Sequence, residues 1–207
     1  RGRVDVSPDG ADDPVVIPDL RVVAAQRYLH HEATVRSETS GAGFPLALAV
    51  RIETLLITTL HEQARPPPLL ALALAVYLRS LAPPPPPPGV GRGQQLFAQN
   101  CQRCHAPPDY AGEPVAVGEI GTDPAAARSR ERGTGTYRTP TLRQVAQRSA
   151  LLHDGRLADL AALLDPARLA ADYRGALHGD GPVPGHRYGL ELASDDRKAL
   201  LEFLQTL

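Results

Sequence analysis

The sequence predicts an all-α protein made of two copies of one helical module, the first copy lacking its front part. Three observations predict it. No run in the 207 residues alternates apolar and polar positions over a useful length, which argues against sheet. Apolar residues recur instead at helical spacing, most clearly Leu200, Phe203, Leu204 and Leu207. The chain also repeats itself: Pro18, Leu20, Arg21, Val23, Ala24, Leu29 and His31 return as Pro140, Leu142, Arg143, Val145, Ala146, Leu151 and His153, each 122 positions on. A second echo sets "ALAVYLRSL", ending at Leu81, beside "ALLEFLQTL", ending at Leu207.

The elements follow in order. Residues 1–82 form the first module, and the longest apolar stretch within it, "FPLALAVRIETLLITTL", carries Arg51 and Glu53. Those charges rule out a membrane span. Pro83 to Pro88 form a polyproline linker, extended at about 3.1 Å per residue. Residues 89–207 form the second module, opening with "GVGRGQQLFAQNCQRCH", a helix start that sets Leu96 and Phe97 one turn before two cysteines. Thr139 and Pro140 are expected to cap and start a middle helix that ends near Asp154 and Gly155, where "HDG" makes a turn. A short helix in "RLADLAALLDP" stops before Pro166, and the Gly- and Pro-rich loop from Asp172 to Gly185 is expected to fold over the site. The last helix takes Ser194 as N-cap and Asp195 and Asp196 at the positive end of its dipole; it should pack on the helix before the cysteines.

Composition narrows the function. A net charge of −1 leaves no cationic excess for nucleic acid or anionic lipid. With 4% aromatic residues and no tryptophan, the chain is short of large core fillers and would gain from burying a planar apolar cofactor.

The chain's two cysteines stand as Cys101-x-x-Cys104-His105, the attachment pattern of haem c. Positions three apart on a helical turn share a face, so both sulfurs can bond one porphyrin while His105 reaches its iron. A thioredoxin-like pair would want a βαβ setting, and nothing before Cys101 reads as a strand. A zinc site would want a second cysteine pair, which is absent. There is no methionine, so a His/Met iron is excluded. The sixth position is left to a histidine, another side chain, water or nothing, and an open position would let peroxide or oxygen reach the iron; of His186, His153 and His178, His186, just ahead of the last helix, is preferred. His153 recurs as His31, which suggests a shared structural task. Arg143 and its counterpart Arg21 are candidates to pair with a haem propionate.

Over most of Gly89 to Leu207 the chain resembles the cytochrome c superfamily. "GTYRTPTLRQVAQRSALLHDGRLADL" and "GHRYGLELASDDRKALLEFLQTL" resemble stretches of bacterial di-haem cytochrome c peroxidases and of the methylamine-utilisation and rubber-oxygenase di-haem proteins. The resemblance implies a haem c relaying electrons from a small redox protein to a second haem, where peroxide is reduced. His31, Glu32 and His61 would face that second haem. The offset puts the first copy's thiol pair ahead of Arg1, so a lost N-terminal haem segment is expected, in preference to a haemless cap. The resemblance also leaves room for a calcium ion between modules and implies a bacterial periplasmic location, because apocytochromes are exported before haem is joined. The reading leans to a haem-dependent oxidoreductase. Its alternatives are a mono-haem electron carrier and a module in which haem is a fold element.

Overall fold

The computed structural model describes residues 3–4, 15–37, 43–58, 64–87 and 91–207. Two short strands, β1 (Arg3–Val4) and β2 (Val15–Val16), pair antiparallel, and a 3-10 turn at Leu20–Ala25 follows, capped by the Asp19 carboxylate on the Arg21 N–H. Strands β3 (Tyr28–Leu29) and β4 (Val35–Arg36) form a second pair. Helices α1 (Gly43–Thr58) and α2 (Pro68–Ser80) then pack together, burying Leu48, Ile52, Ala71, Ala75 and Leu78 with Val23 and Leu29 of the preceding segment.

Beyond the prolines, α3 (Arg92–Asn100) leads into the cysteines, and β5 (Gly112–Ala116) runs into the single turn α4 (Val117–Ile120). Strand β6 (Thr136–Thr139) pairs antiparallel with β5, α5 (Leu160–Leu164) is followed by a 3-10 turn at Pro166–Leu169, and α6 (Ser194–Leu204) ends the chain. The fold is mainly helical, but the all-α expectation needs correcting, because three two-stranded sheets are present among the described residues. Strands of two to five residues are too short for alternation to register as a sequence signal.

The expected middle helix is also absent. Thr139 ends β6, consistent with the extended backbone that a following proline favours. Gln144 then adopts a left-handed conformation (φ 54°) with its N–H on the Leu207 carbonyl, leaving only a 3-10 turn at Val145–Gln147. The repeat nonetheless has a geometric trace: Leu29 pairs with Val35, and Leu151 bridges to Leu157 at the same offset of 122.

The larger core gathers α3 and α6. Leu96 and Phe97 meet Leu200, Phe203 and Leu204, with the Phe97 and Phe203 rings 5.2 Å apart. Arg92 clamps Asp196 through two bonds of 2.8 and 2.7 Å. Ser194 is the first residue of α6 rather than its cap, and Asp195 and Asp196 fill the first turn as expected. Phe97 and Gly93 therefore bring the thiol-bearing turn against the last helix, as the periodicity requires. No helix among the described residues is long and apolar enough to cross a membrane.

Candidate haem site

Cys101 closes α3, and the backbone winds one further turn: the N–H of Cys104 and that of His105 both donate to the Cys101 carbonyl, at 3.1 and 2.9 Å. The two thiols are not joined in a disulfide, and both line a cavity of about 800 Å³. That size falls within the range of small-molecule and cofactor pockets, about 300–1,000 Å³. Burial, and secondarily the neighbouring Cys104, push the Cys101 thiol up to about 11. A dithiol redox centre needs the opposite shift, so a thioredoxin-like role does not fit. Among the described residues, no cluster of three or more His, Cys, Asp or Glu side chains gathers to hold an ion.

His105 is buried, and its Nδ1–H donates to the carbonyls of Tyr110 and Pro140, both at 3.1 Å. Two carbonyl acceptors require the proton on Nδ1, so the lone pair sits on Nε2. Burial lowers the ring to about 4, which keeps it neutral and able to ligate. Opposite stands His186, its ring centre 6.4 Å from that of His105. A metal–imidazole bond is about 2 Å and a five-membered ring of ~1.35 Å bonds has a radius of about 1.15 Å, so two imidazoles trans on one metal lie about 6.3 Å apart. The observed separation fits a metal between them. Burial, then the proximity of His105 and Arg168, holds His186 near 4, also neutral, and its buried Nδ1 lacks a protein partner. Leu142, Val145, Leu160, Leu164, Leu200 and Tyr188 contribute to the cavity wall. The residues present thus fit a haem c: two free thiols on one turn, a backed imidazole and a second imidazole near it, in a largely aliphatic pocket.

The other candidates fall elsewhere. His178 donates from Nε2 to the Asp154 carbonyl at 2.9 Å, and His153 stacks on Tyr137 with ring centres 4.2 Å apart. Both line the cavity without facing His105 as His186 does. Arg143 is not on the cavity wall: its Nη2 donates to the Pro83 carbonyl and, at 2.7 Å, to that of Pro84, tying the linker to the second module. Arg21 is held by Asp19 at 2.6 Å and by Gln147 at 3.1 Å. The expectation that Arg143 and Arg21 face the cofactor is therefore corrected, since nearer acceptors claim both. Arg103, Arg138 and Arg148 line the cavity instead, and the buried Arg138 Nε has no partner. Burial also depresses the Arg138 guanidinium to about 10.

The first segment closes part of the cavity. Val16, Pro18, Val22, Gln26 and His31 line it, the His31 Nε2–H donates to the Val16 carbonyl at 2.8 Å, and the Arg138 N–H donates to the His31 carbonyl at 2.8 Å. The Glu32 carbonyl accepts from Thr134 at 2.6 Å, while His61 lies outside the described residues. Sequence reasoning missed Tyr110 and Pro140 as acceptors behind His105. Pro140 belongs to the repeat, but nothing in the sequence marks a carbonyl as a partner.

The cytochrome c family model matches residues 90–207. No curated protein matches the chain significantly. Among solved structures, hydrazine synthase of Kuenenia stuttgartiensis superposes with a TM-score of 0.58 at 16% identity, covering 99% of this chain and 76% of that one. The diheme peroxidase BthA of Burkholderia thailandensis gives 0.46 at 19% identity, covering 94% of this chain and 66% of that one. Thiols, backed imidazole and matching family model fall on one continuous stretch of backbone, and on that ground the chain belongs to the cytochrome c family.

Proposed function

We propose that this chain is the electron-relay part of a di-haem, peroxidase-type oxidoreductase, with His105 and His186 as the axial ligands of a haem c held by Cys101 and Cys104. The observation that carries it is the 6.4 Å separation of the two rings across the cavity. When bound, the haem supplies reversible one-electron chemistry. The carbonyls of Tyr110 and Pro140 orient His105, the aliphatic wall limits water, and His105 and His186, if both held the metal, would leave it no position for small ligands. A centre of that kind passes electrons and does not take up peroxide.

A second haem on a front part of the first module is supported by helix α2. In the alignment of "ALAVYLRSL" with "ALLEFLQTL", Leu74, Tyr77 and Leu81 correspond to Leu200, Phe203 and Leu207. Leu200, Phe203 and Leu207 are 0, 7 and 8% exposed, in the core that α3 joins; Leu74, Tyr77 and Leu81 are 41, 59 and 37% exposed. The α2 face has the character of a seat for a haem-bearing helix like α3. In this reading a small redox protein delivers electrons, and the location is the periplasm, where haem is attached to exported chains.

The same pair of imidazoles suits a mono-haem carrier, and one experiment separates the two. Full-length protein is matured in a host that attaches haem c, reduced, and mixed with peroxide and a reduced cytochrome donor. Turnover supports the di-haem enzyme; inertness of a haem-replete protein refutes it and leaves the carrier. Haem lost on acid-acetone extraction would overturn both.

A further inference from the structure

We infer that Arg168 is a positioning residue for the axial imidazole: its guanidinium fastens the backbone around His186 and so holds that ring opposite His105. The inference rests on the proposed role of His186 as sixth ligand.

Arg168 is fully buried at 0% exposure, and its hydrogen bonds go to backbone carbonyls. Nε donates to Leu163 at 2.9 Å and Nη1 to Val183, while Nη2 donates to Gly185 at 2.8 Å and to His186 at 2.9 Å. The Val183 N–H returns a bond of 2.7 Å to the Arg168 carbonyl. Burying a guanidinium without a carboxylate against it is expensive, and an apolar side chain would fill the space at lower cost. What the charge supplies is a planar fork of donors. The segment from Pro182 to Arg187 has no regular secondary structure, so its carbonyls have no ladder to satisfy them.

His186 itself is strained. Its φ of 43° lies in the left-handed region, which a non-glycine residue keeps only where its surroundings over-determine it. Three contacts do so: Arg168 from one side, the His186 N–H on the Ile120 carbonyl at 2.8 Å, and Gly185 (φ 84°) pressed so close to Thr122 that a Cβ would stand 2.5 Å from its nitrogen. Arg168 grips both residues of the Gly185–His186 peptide and reaches α5 as well.

The test uses the haem-loaded full chain and reads the spin state of the oxidised protein and the rate at which carbon monoxide binds the reduced one. Wild type is expected to be low-spin, and H186A high-spin. Arg168→Met is expected to give a largely high-spin spectrum that added imidazole converts to low-spin, with carbon monoxide binding faster by about tenfold or more. Arg168→Lys keeps the charge but loses the fork, and is expected to resemble the Met variant. A high-spin wild type, or a low-spin H186A, would refute the role of His186 itself. A high-spin H186A beside low-spin Arg168 variants with unchanged carbon monoxide kinetics would overturn the positioning role alone. If neither Arg168 variant folds, the residue is a structural strut and the inference is likewise overturned.

Discussion

Replacing Gly93 with alanine is expected to destabilise the haem-bearing module, although the same change in an isolated helix would stabilise it. A Cβ built at Gly93 stands 2.2 Å from the Ala199 carbonyl oxygen and 2.7 Å from the Phe203 Cβ. Restoring ordinary contact, about 3.4 Å, requires α3 and α6 to part by about 1 Å, and a gap of that size forfeits about a quarter to a half of each dispersion contact. Leu96, Phe97, Leu200, Phe203 and Leu204 all lie in that packing. Overpacking of this kind costs about 1–3 kcal/mol, against which helix propensity returns about 1 kcal/mol at most. From the middle of that range the net loss is on the order of 1 kcal/mol, or roughly 2–4 °C in melting temperature for a chain of this size. Thermal unfolding of the haem-loaded protein, followed by far-ultraviolet circular dichroism, reads it directly. A Tm equal to or above that of wild type would refute the close packing of α3 on α6 and with it the argument for how the thiol turn is held.

Three further outcomes follow from the site and its seam. Cys104→Ser leaves one sulfur to hold the haem, so the pyridine haemochrome of the purified protein should move toward that of a haem with one free vinyl group; an unshifted band would mean Cys104 makes no bond. Burial foremost, then Arg138, holds His31 down to about 3, and burial then Arg51 does the same for His30, while an unfolded imidazole titrates near 6.5. The folded state resists protons that the unfolded state takes up, so their contribution is complete above about pH 6.5 and is lost as pH falls from there toward 3. His31→Gln should flatten the melting-temperature profile between pH 7 and 4.5, and an unchanged slope would remove His31 from that account. Replacing Leu74 and Tyr77 by serine should reduce concentration-dependent association in light scattering without lowering stability, because both side chains face solvent in this chain.

What the sequence determined by itself was local or periodic. Cys101, Cys104 and His105 sit within one turn, so their spacing alone puts sulfur, sulfur and imidazole on one wall of a pocket. Leu200, Phe203 and Leu204 declare the buried face of α6 through a spacing that only a helix makes, and the Leu29–Val35 and Leu151–Leu157 pairs stand at the repeat's offset of 122. The lack of methionine reduced the sixth ligand to a short choice, but the 6.4 Å between two rings 81 positions apart in the chain is a property of the fold.

Tertiary structure decided the rest. Thr139 and Pro140 read as a helix start, and the pairing of Thr139 with Gly112 made them a strand end instead. Arg143 and Arg138 are the same residue type within a few positions, yet one binds the linker carbonyls and the other lines the cavity. Arg168 carries no sequence signature at all, because its partners are backbone carbonyls, and every residue offers one. A carbonyl becomes specific only through where the fold puts it, which is why candidate ligands could be read from side-chain types while the groups proposed to aim them could not.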